Sequence, residues 1–354
     1  MMLLRPDRRA ALKRLFAGAR RLTISTAGVL SDGTISVELP IAGDHEPAAV
    51  SISGAQTIRR VLSADLVTVT DVGVVLDDVT PIAGTSTAAP RPAPQVADQA
   101  IVAAAGSTLE NTARARLLTH LASGPDSATI TTRTDAIELR AAGSTHSTAI
   151  TLAHHGDMAH PTSLRLSRPA LLTELGRRNR WHLVITETGT IITYYPGLTM
   201  RAWTTAEPTD LPPEPGRPAN SVRSRLAISP LTLLAGLKSL TQHRAGTEVT
   251  ITASGEICAP GGTGTRLFVT AVHNTTHPAA ITVRYGLLRH VCTSLLETGQ
   301  RLIISWAEHD EPITISTSDN SLRHAISRSL PAPAEDTTWP TCRQLQQEAT
   351  THDR

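Results

Sequence analysis

One local pattern recurs along the chain and limits its folding options more than any other feature. It is clearest between Ile281 and Leu330. An extended lead-in, Ile281–Val283, runs into an apolar series at Tyr285, Leu288, Val291 and Leu295. Steps of three and four residues predict a helix with one buried stripe. Gly299 stops it. Two β-rich runs follow, Arg301–Trp306 and Pro312–Thr317, separated by the polar turn Glu308–Glu311, and a last strand, Arg323–Ser327, closes the unit.

The same order of strand, helix and hairpin recurs upstream. Val50–Ser53 precedes a helix over Ala55–Leu62, then strands over Leu66–Thr70 and Val74–Asp77. Leu164–Leu166 precedes a helix over Pro169–Arg177, then strands over His182–Thr186, Thr190–Tyr194 and Thr199–Trp203. Helix-plus-hairpin units also fit Pro6–Leu39, Leu109–Leu139 and Ser229–Ile257. The six helices start roughly 45 to 60 residues apart, a spacing that signals repeat architecture.

A chain of 354 residues exceeds one ordinary core, and two units per domain would make three domains of usual size. The breaks fall where composition changes. Residues 1–84 form a shortened first domain, and Thr85–Pro94 is a Pro/Ala linker. Residues 95–206 form the second domain; its first helix, Leu109–Leu121, should bury Leu109, Ala113, Leu117 and Leu121. Residues 207–219 are Pro-rich, residues 220–331 form the third domain, and residues 332–354 read as a mobile tail.

Charge is divided unevenly although the net is only +2. The six helical windows (Arg5–Arg21, Ser53–Ala64, Ser107–Ser123, Ser167–Arg180, Ser229–Arg244, Arg284–Thr298) hold 19 of the 33 Lys+Arg but only 4 of the 31 Asp+Glu. That leaves 14 basic and 27 acidic residues elsewhere, so the helices are cationic and the strands and loops anionic. Helix propensity does not explain this, because Glu forms helices as well as Arg. If the helices face one way, that face is positive.

Other chemistry is thin. Cys258, Cys292 and Cys342 form no CxxC pair, and the odd count fits a reducing compartment, with Cys292 in the core. The basic run Arg5–Arg9 lacks an apolar segment behind it, so a signal peptide is not expected, and no apolar run has the ~20 residues needed to cross a bilayer. The chain reads as cytoplasmic. His154, His155, Asp157 and His160 lie close together and are the one metal-site candidate, the basis of an alternative reading as a metal-dependent enzyme. They lack the helical H-E-x-x-H spacing, and a polar surface loop is the simpler reading. PGGTG at Pro260–Gly264 reads as a hairpin turn, and no G-x-S-x-G elbow is present. No cofactor or metal is expected.

Order and spacing together resemble the bacterial β sliding clamp family, the processivity subunit of DNA polymerase III. The phrase VRYGLLRHVCTSL at Val283–Leu295 resembles the family's F-N-x-x-Y-L-L-D-x-L-x-A-L. DEPITIS at Asp310–Ser316 resembles its following strand. IELRAAGSTHSTAITL at Ile137–Leu152 sits where the family has L-x-x-V-A-T-D-G-H-R-L-A, and TISVELPIAG at Thr34–Gly43 resembles the strand before its second helix.

The resemblance implies an α+β chain of three tandem clamp domains, each a duplicated helix-plus-antiparallel-sheet unit, forming half of a pseudo-sixfold ring. Two copies would close head to tail with twelve helices inside, encircle double-stranded DNA, and tether a polymerase placed there by a clamp loader. No catalysis would be needed. Phosphate contact would fall to Arg9, Lys13, Arg14, Arg20, Arg59, Arg114, Arg116, Arg177, Arg178, Lys238 and Arg289. A pocket for partner peptides would involve Thr145, His146, Ala149, Pro215, Ile326 and Arg328. The family's T-D-G-H-R-L-A is here reduced to Ser144–Ala149, and its closing Met-Pro-Met-Arg becomes Ser327, Arg328, Ser329 and Leu330. Without the methionines the pocket loses its adaptable apolar lining, which implies a clamp paralogue with altered partner specificity as the alternative.

Overall fold

Each of the six expected helices forms. In the computed structural model they are α1 (Pro6–Leu15), α2 (Ala55–Val61), α3 (Leu109–Arg116), α4 (Ala170–Gly176), α5 (Pro230–Ser239) and α6 (Tyr285–Leu295). The structure describes residues 2–40, 48–88, 101–120, 125–143, 146–154, 162–166, 168–186, 191–195, 198–202, 204–205, 224–240, 247–259, 264–267, 269–272, 279–307 and 312–326. A strand precedes each helix and two or more strands follow it. The expected strand boundaries hold to within a residue or two, as for Leu66–Thr70 and His182–Thr186, which match end to end.

α6 shows why the pattern was readable. Leu288, Val291, Cys292 and Leu295 are all at most 1% exposed, and each buried Leu or Val contributes about 1.5–3 kcal/mol. A 3₁₀ turn, Leu296–Thr298, extends the helix, and Gly299 ends it at φ +68°, a left-handed conformation that glycine adopts without a Cβ clash. α3 departs from expectation. Ala113 and Leu117 are buried, but Leu109 is 63% exposed. Thr108 caps this helix by accepting from the Asn111 N–H, so Leu109 falls in the uncovered first turn. The helix then tightens into a 3₁₀ turn at Leu117–His120, which shifts the phase of its buried face.

The chain forms two units. The first draws on residues 1–107, 127–137 and 153–209; the second draws on 108–126, 138–152 and 210–354. Residues 95–206 therefore contribute to both.

The first unit carries α1, α2 and α4. A four-stranded antiparallel sheet runs in the order Met2–Leu3, Leu66–Thr70, Gly73–Leu76, Thr80–Ala83. A nine-stranded sheet runs Ile101–Gly106, His182–Thr186, Ile191–Tyr195, Leu198–Ala202, Ile35–Glu38, Val29–Ser31, Arg21–Ser25, Ala49–Ser53, Thr85–Thr87. Its last strand corrects the linker expected over Thr85–Pro94. Residues 85–87 pair with Ala49–Ser51, where β-branched Thr85 and Thr87 suit an edge.

The second unit carries α3, α5 and α6. One four-stranded sheet runs Thr265–Arg266, Glu256–Cys258, Glu248–Thr252, Ala280–Arg284. A longer run orders Ala136–Ala142, His146–Ala153, Leu322–Ile326, Ile313–Thr317, Leu302–Trp306, Ser224–Ile228 and Thr270–Val272. Trp306 is fully buried in it.

Candidate nucleic-acid interface

The basic helices were expected to offer their charges outward. The structure divides the candidates into those used inside the protein and those left at the surface.

In the first unit, α1 packs on α4 through charge. Arg14 grips the Glu174 carboxylate with two guanidinium nitrogens, the second at 2.9 Å. Glu174 is fully buried, and Arg177 Nε lies 3.9 Å from it. A carboxylate without water needs such a partner, since stranding it costs several kcal/mol. Arg178 reaches across to Asp7, with Nη1 3.8 Å from its carboxylate and Nη2 donating to its carbonyl at 3.4 Å. Arg9 pairs with Asp65 and donates to the Ser63 carbonyl at 3.1 Å.

Lys13, Arg20 and Arg59 differ. They are exposed and make no ion pair among the described residues. Lys13 on α1 and Arg59 on α2 flank a cleft of about 290 Å³ floored by Phe16, Ile58 and Leu62. Arg60, which was not among the expected contacts, is exposed on the same last turn of α2 as Arg59.

In the second unit, Arg114 is a correction. Its side chain is 8% exposed, with Nη1 donating to the Thr151 carbonyl at 2.7 Å and Nη2 shared between Glu110 and, at 3.4 Å, Asp319. Burial acts to raise the Asp319 carboxyl, yet hydrogen bonds from Thr317 and Ser321 and the Arg114 charge outweigh it and hold that carboxyl below the usual range. A guanidinium so enclosed does not reach phosphate. Arg116 is half-buried, and its carbonyl accepts from His290 Nε2 at 3.1 Å. Lys238, in the last turn of α5, and Arg289 on α6 are exposed on two helices packed against each other, and neither makes an ion pair among the described residues.

Of the candidate pocket, His146 and Ile326 stand opposite each other in register on adjacent strands, and Ala149 faces Arg323. Ala149 and Ile326 are buried, while His146 is half-buried with Nε2 donating to the His120 carbonyl at 2.8 Å. Thr145, Pro215 and Arg328 lie outside the described residues. Of the metal candidate only His154 is described, its N–H donating to the Asp135 carbonyl at 3.4 Å; His155, Asp157 and His160 lie outside. Among the described residues no three His, Cys, Asp or Glu are placed to hold a metal ion, and no helix is long and apolar enough to cross a membrane. Cys258 and Cys292 are buried and not joined in a disulfide, and burial pushes the Cys292 thiol up to about 12.

No protein-family model matches the chain, and no curated relative does. Solved structures match it over nearly its whole length. A putative DNA polymerase III β subunit from Eubacterium rectale ATCC 33656 aligns with a TM-score of 0.57 over 90% of this chain and 95% of its own, at 10% identity. The DNA polymerase III β subunit of Thermotoga maritima aligns at 0.56 over 92% and 97%, also at 10% identity. The fold is that of the sliding clamp. The Helicobacter pylori β clamp bound to a DNA ligase peptide aligns at 0.50, over 93% of this chain and all of that one, at 10% identity. The clamp fold agrees with the repeat pattern and the mixed helix-and-antiparallel-sheet class expected from the sequence.

Proposed function

We propose that this chain is a DNA sliding clamp, a non-catalytic accessory subunit of a DNA polymerase, with three domains of two helices each. It closes around duplex DNA as a head-to-tail pair of copies. The observation that carries the reading is exposed cations, without an ion pair among the described residues, on α1, α2, α5 and α6 of a clamp fold: Lys13, Arg59, Lys238 and Arg289. Such contacts are sequence-blind and salt-sensitive, as a sliding protein requires. A clamp loader and a cytoplasmic setting accompany this reading.

The strand order supports the head-to-tail pair. Inside the chain, the third strand after the second helix of one expected domain pairs with the third strand after the first helix of another. Leu198–Ala202 pairs with Ile35–Glu38, and Leu322–Ile326 with His146–Ala153. The remaining equivalents are Thr80–Ala83 and Thr265–Arg266, each an edge of a four-stranded sheet. A second copy would join them and close a cyclic assembly. Exposed Val72 and Val79 flank the first of these edges.

That closing seam is the weakest of the three. The Gly84 N–H bonds the Val72 carbonyl at 3.0 Å, which fixes the ladder phase and turns the main-chain groups of Pro81 and Ala83 outward. Proline has no N–H, so the open edge offers one outward donor over its four residues. Sedimentation at rising concentration should show the 37.6 kDa chain passing to roughly 75 kDa, twice its mass. Pro81→Val should shift that passage to lower concentration. The ring form should also stay on nicked circular DNA and leave when the circle is cut. A monomer at every concentration, or equal retention on both DNA forms, overturns the reading.

A private partner specificity is favoured by one observation. The position of the family's peptide pocket carries His146, with His324 5.4 Å away between ring centroids, while the family's closing methionines give way to Ser327, Arg328, Ser329 and Leu330. Pull-down with the host's replicative polymerase distinguishes a housekeeping clamp, which captures it, from a paralogue, which does not.

A further inference from the structure

Four imidazoles from four elements meet inside the second unit. His120 ends the turn after α3, His146 opens the His146–Ala153 strand, His290 lies on α6, and His324 lies on the Leu322–Ile326 strand. The His120 and His290 rings meet edge to face with centroids 3.9 Å apart. His146 Nε2 faces the His120 carbonyl at 2.8 Å, and His290 Nε2 faces the Arg116 carbonyl at 3.1 Å. A carbonyl only accepts, so each of these nitrogens carries a proton. His324 Nδ1 shares a 2.6 Å bond with the Thr148 hydroxyl. The Nε2 atoms of His120 and His324 are buried without a hydrogen-bond partner among the described residues. With two of the four Nε2 atoms committed to carbonyls, the cluster does not form a cation site.

Apart from His146 to His120, these contacts cross one seam, which joins residues 108–152 to residues 280–326. Along it, His146–Ile150 pairs with Leu322–Ile326, Thr151 N–H donates to the Ser321 carbonyl at 2.7 Å, and Arg114 meets Asp319. We propose that the four histidines are an acid-operated latch, which holds this seam shut while every ring is neutral and releases it when protons enter.

Among the described residues, the charged groups nearest the rings give a proton no support. Arg116 acts on His290 and Arg284 acts on His146, and both are cationic. Arg323 alternates to the opposite strand face from His324 and reaches Glu138 there at 3.4 Å, while Arg114 and Asp319 offset each other. Burial pushes His120 and His324 down to about 3, with the neighbouring imidazoles adding to it. Burial also lowers His146 and His290, against the opposing effect of their carbonyl bonds. Histidines lowered on folding contribute stability above the unfolded value near 6.5, and that stability is lost as pH falls below it. Acid therefore acts on this seam without requiring DNA or a partner.

The test uses the full chain from pH 7 to 5. Imidazole NMR resonances should remain those of neutral rings over most of that range. Hydrogen-exchange protection, corrected for the intrinsic rate, should fall in His146–Ile150 and Leu322–Ile326 by up to about tenfold per pH unit for each histidine kept neutral. Protection in Arg21–Ser25 of the first unit should hold. His120→Gln and His324→Gln should each remove up to one such factor from the slope. If the variants do not fold, the wild-type titration decides alone. Rings that titrate near 6.5, slopes unchanged in folded variants, or equal loss of protection in both units would overturn the latch.

Discussion

The two units join their helices by opposite means. In the first, α1 meets α4 through Arg14 and the fully buried Glu174, so charge is matched by charge. In the second, α3 meets α6 through a neutral imidazole, His290, donating to the Arg116 carbonyl, with His120 stacked on its edge. A matched pair tolerates its own charge but not the loss of a partner. A neutral cluster has no partner to lose and fails when charge is added. One chain thus carries two junctions with different weaknesses, although both sit beneath helices that sequence alone reads as the same repeated unit.

The sharpest way to break this comparison is Arg14→Leu. It leaves the buried Glu174 carboxylate only the more distant Arg177, 3.9 Å away, as a cation among the described residues, and because Arg14 is itself 38% exposed the cost should sit at the low end of the usual range, about 3 kcal/mol. The double variant Arg14→Leu with Glu174→Leu should recover most of that loss, since an apolar pair of similar volume can replace a buried ion pair. Denaturant unfolding of both variants, followed by hydrogen exchange to assign the loss to the first unit, measures it. A single variant within about 0.5 kcal/mol of wild type would show that the ion pair is ordinary surface chemistry.

Arg114→Met in the second unit comes next. It leaves the Thr151 carbonyl and Asp319 short of a donor and should cost about 2 kcal/mol. It should leave the salt dependence of DNA binding untouched, because the side chain is enclosed. A shallower salt slope would return Arg114 to the interface from which its burial removes it.

These two arginines mark where sequence was legible and where it was not. The α6 stripe was readable because Tyr285, Leu288, Val291 and Leu295 lie within one helix and their period is local. The basic character of the helices was equally readable, since it is a count. The fate of each cation was not. Arg114 is enclosed by Thr151 and Asp319, 37 and 205 positions away, and Arg14 by Glu174, 160 positions away. The histidine cluster was invisible for the same reason. His146 was singled out through a family motif, but His120, His290 and His324 reach it only through the strand pairing of His146–Ala153 with Leu322–Ile326 and the packing of α3 on α6. Leu109 failed at a smaller scale, because the Thr108 cap places it in the uncovered first turn of α3. Local period survives translation into structure; long-range neutralisation does not show in the sequence.

The smallest expected effect on stability sharpens the contrast most. Lys13 on α1 and Lys238 on α5 are exposed, one in each unit, and pair with nothing among the described residues. Lys13→Ala and Lys238→Ala should each change stability by no more than about 0.5 kcal/mol, as surface substitutions do. Removing one cation from a phosphate should nevertheless make the slope of log binding constant against log salt shallower by about 0.9. The pair of results separates two kinds of cation on the same helices. Arg14 and Lys13 are consecutive residues on α1, yet the first should move stability and the second should move only the salt slope. If Lys13→Ala leaves the slope unchanged while Arg14→Leu alters it, then DNA is held by the residues that also hold the helices together, and the division between internal and outward charge fails.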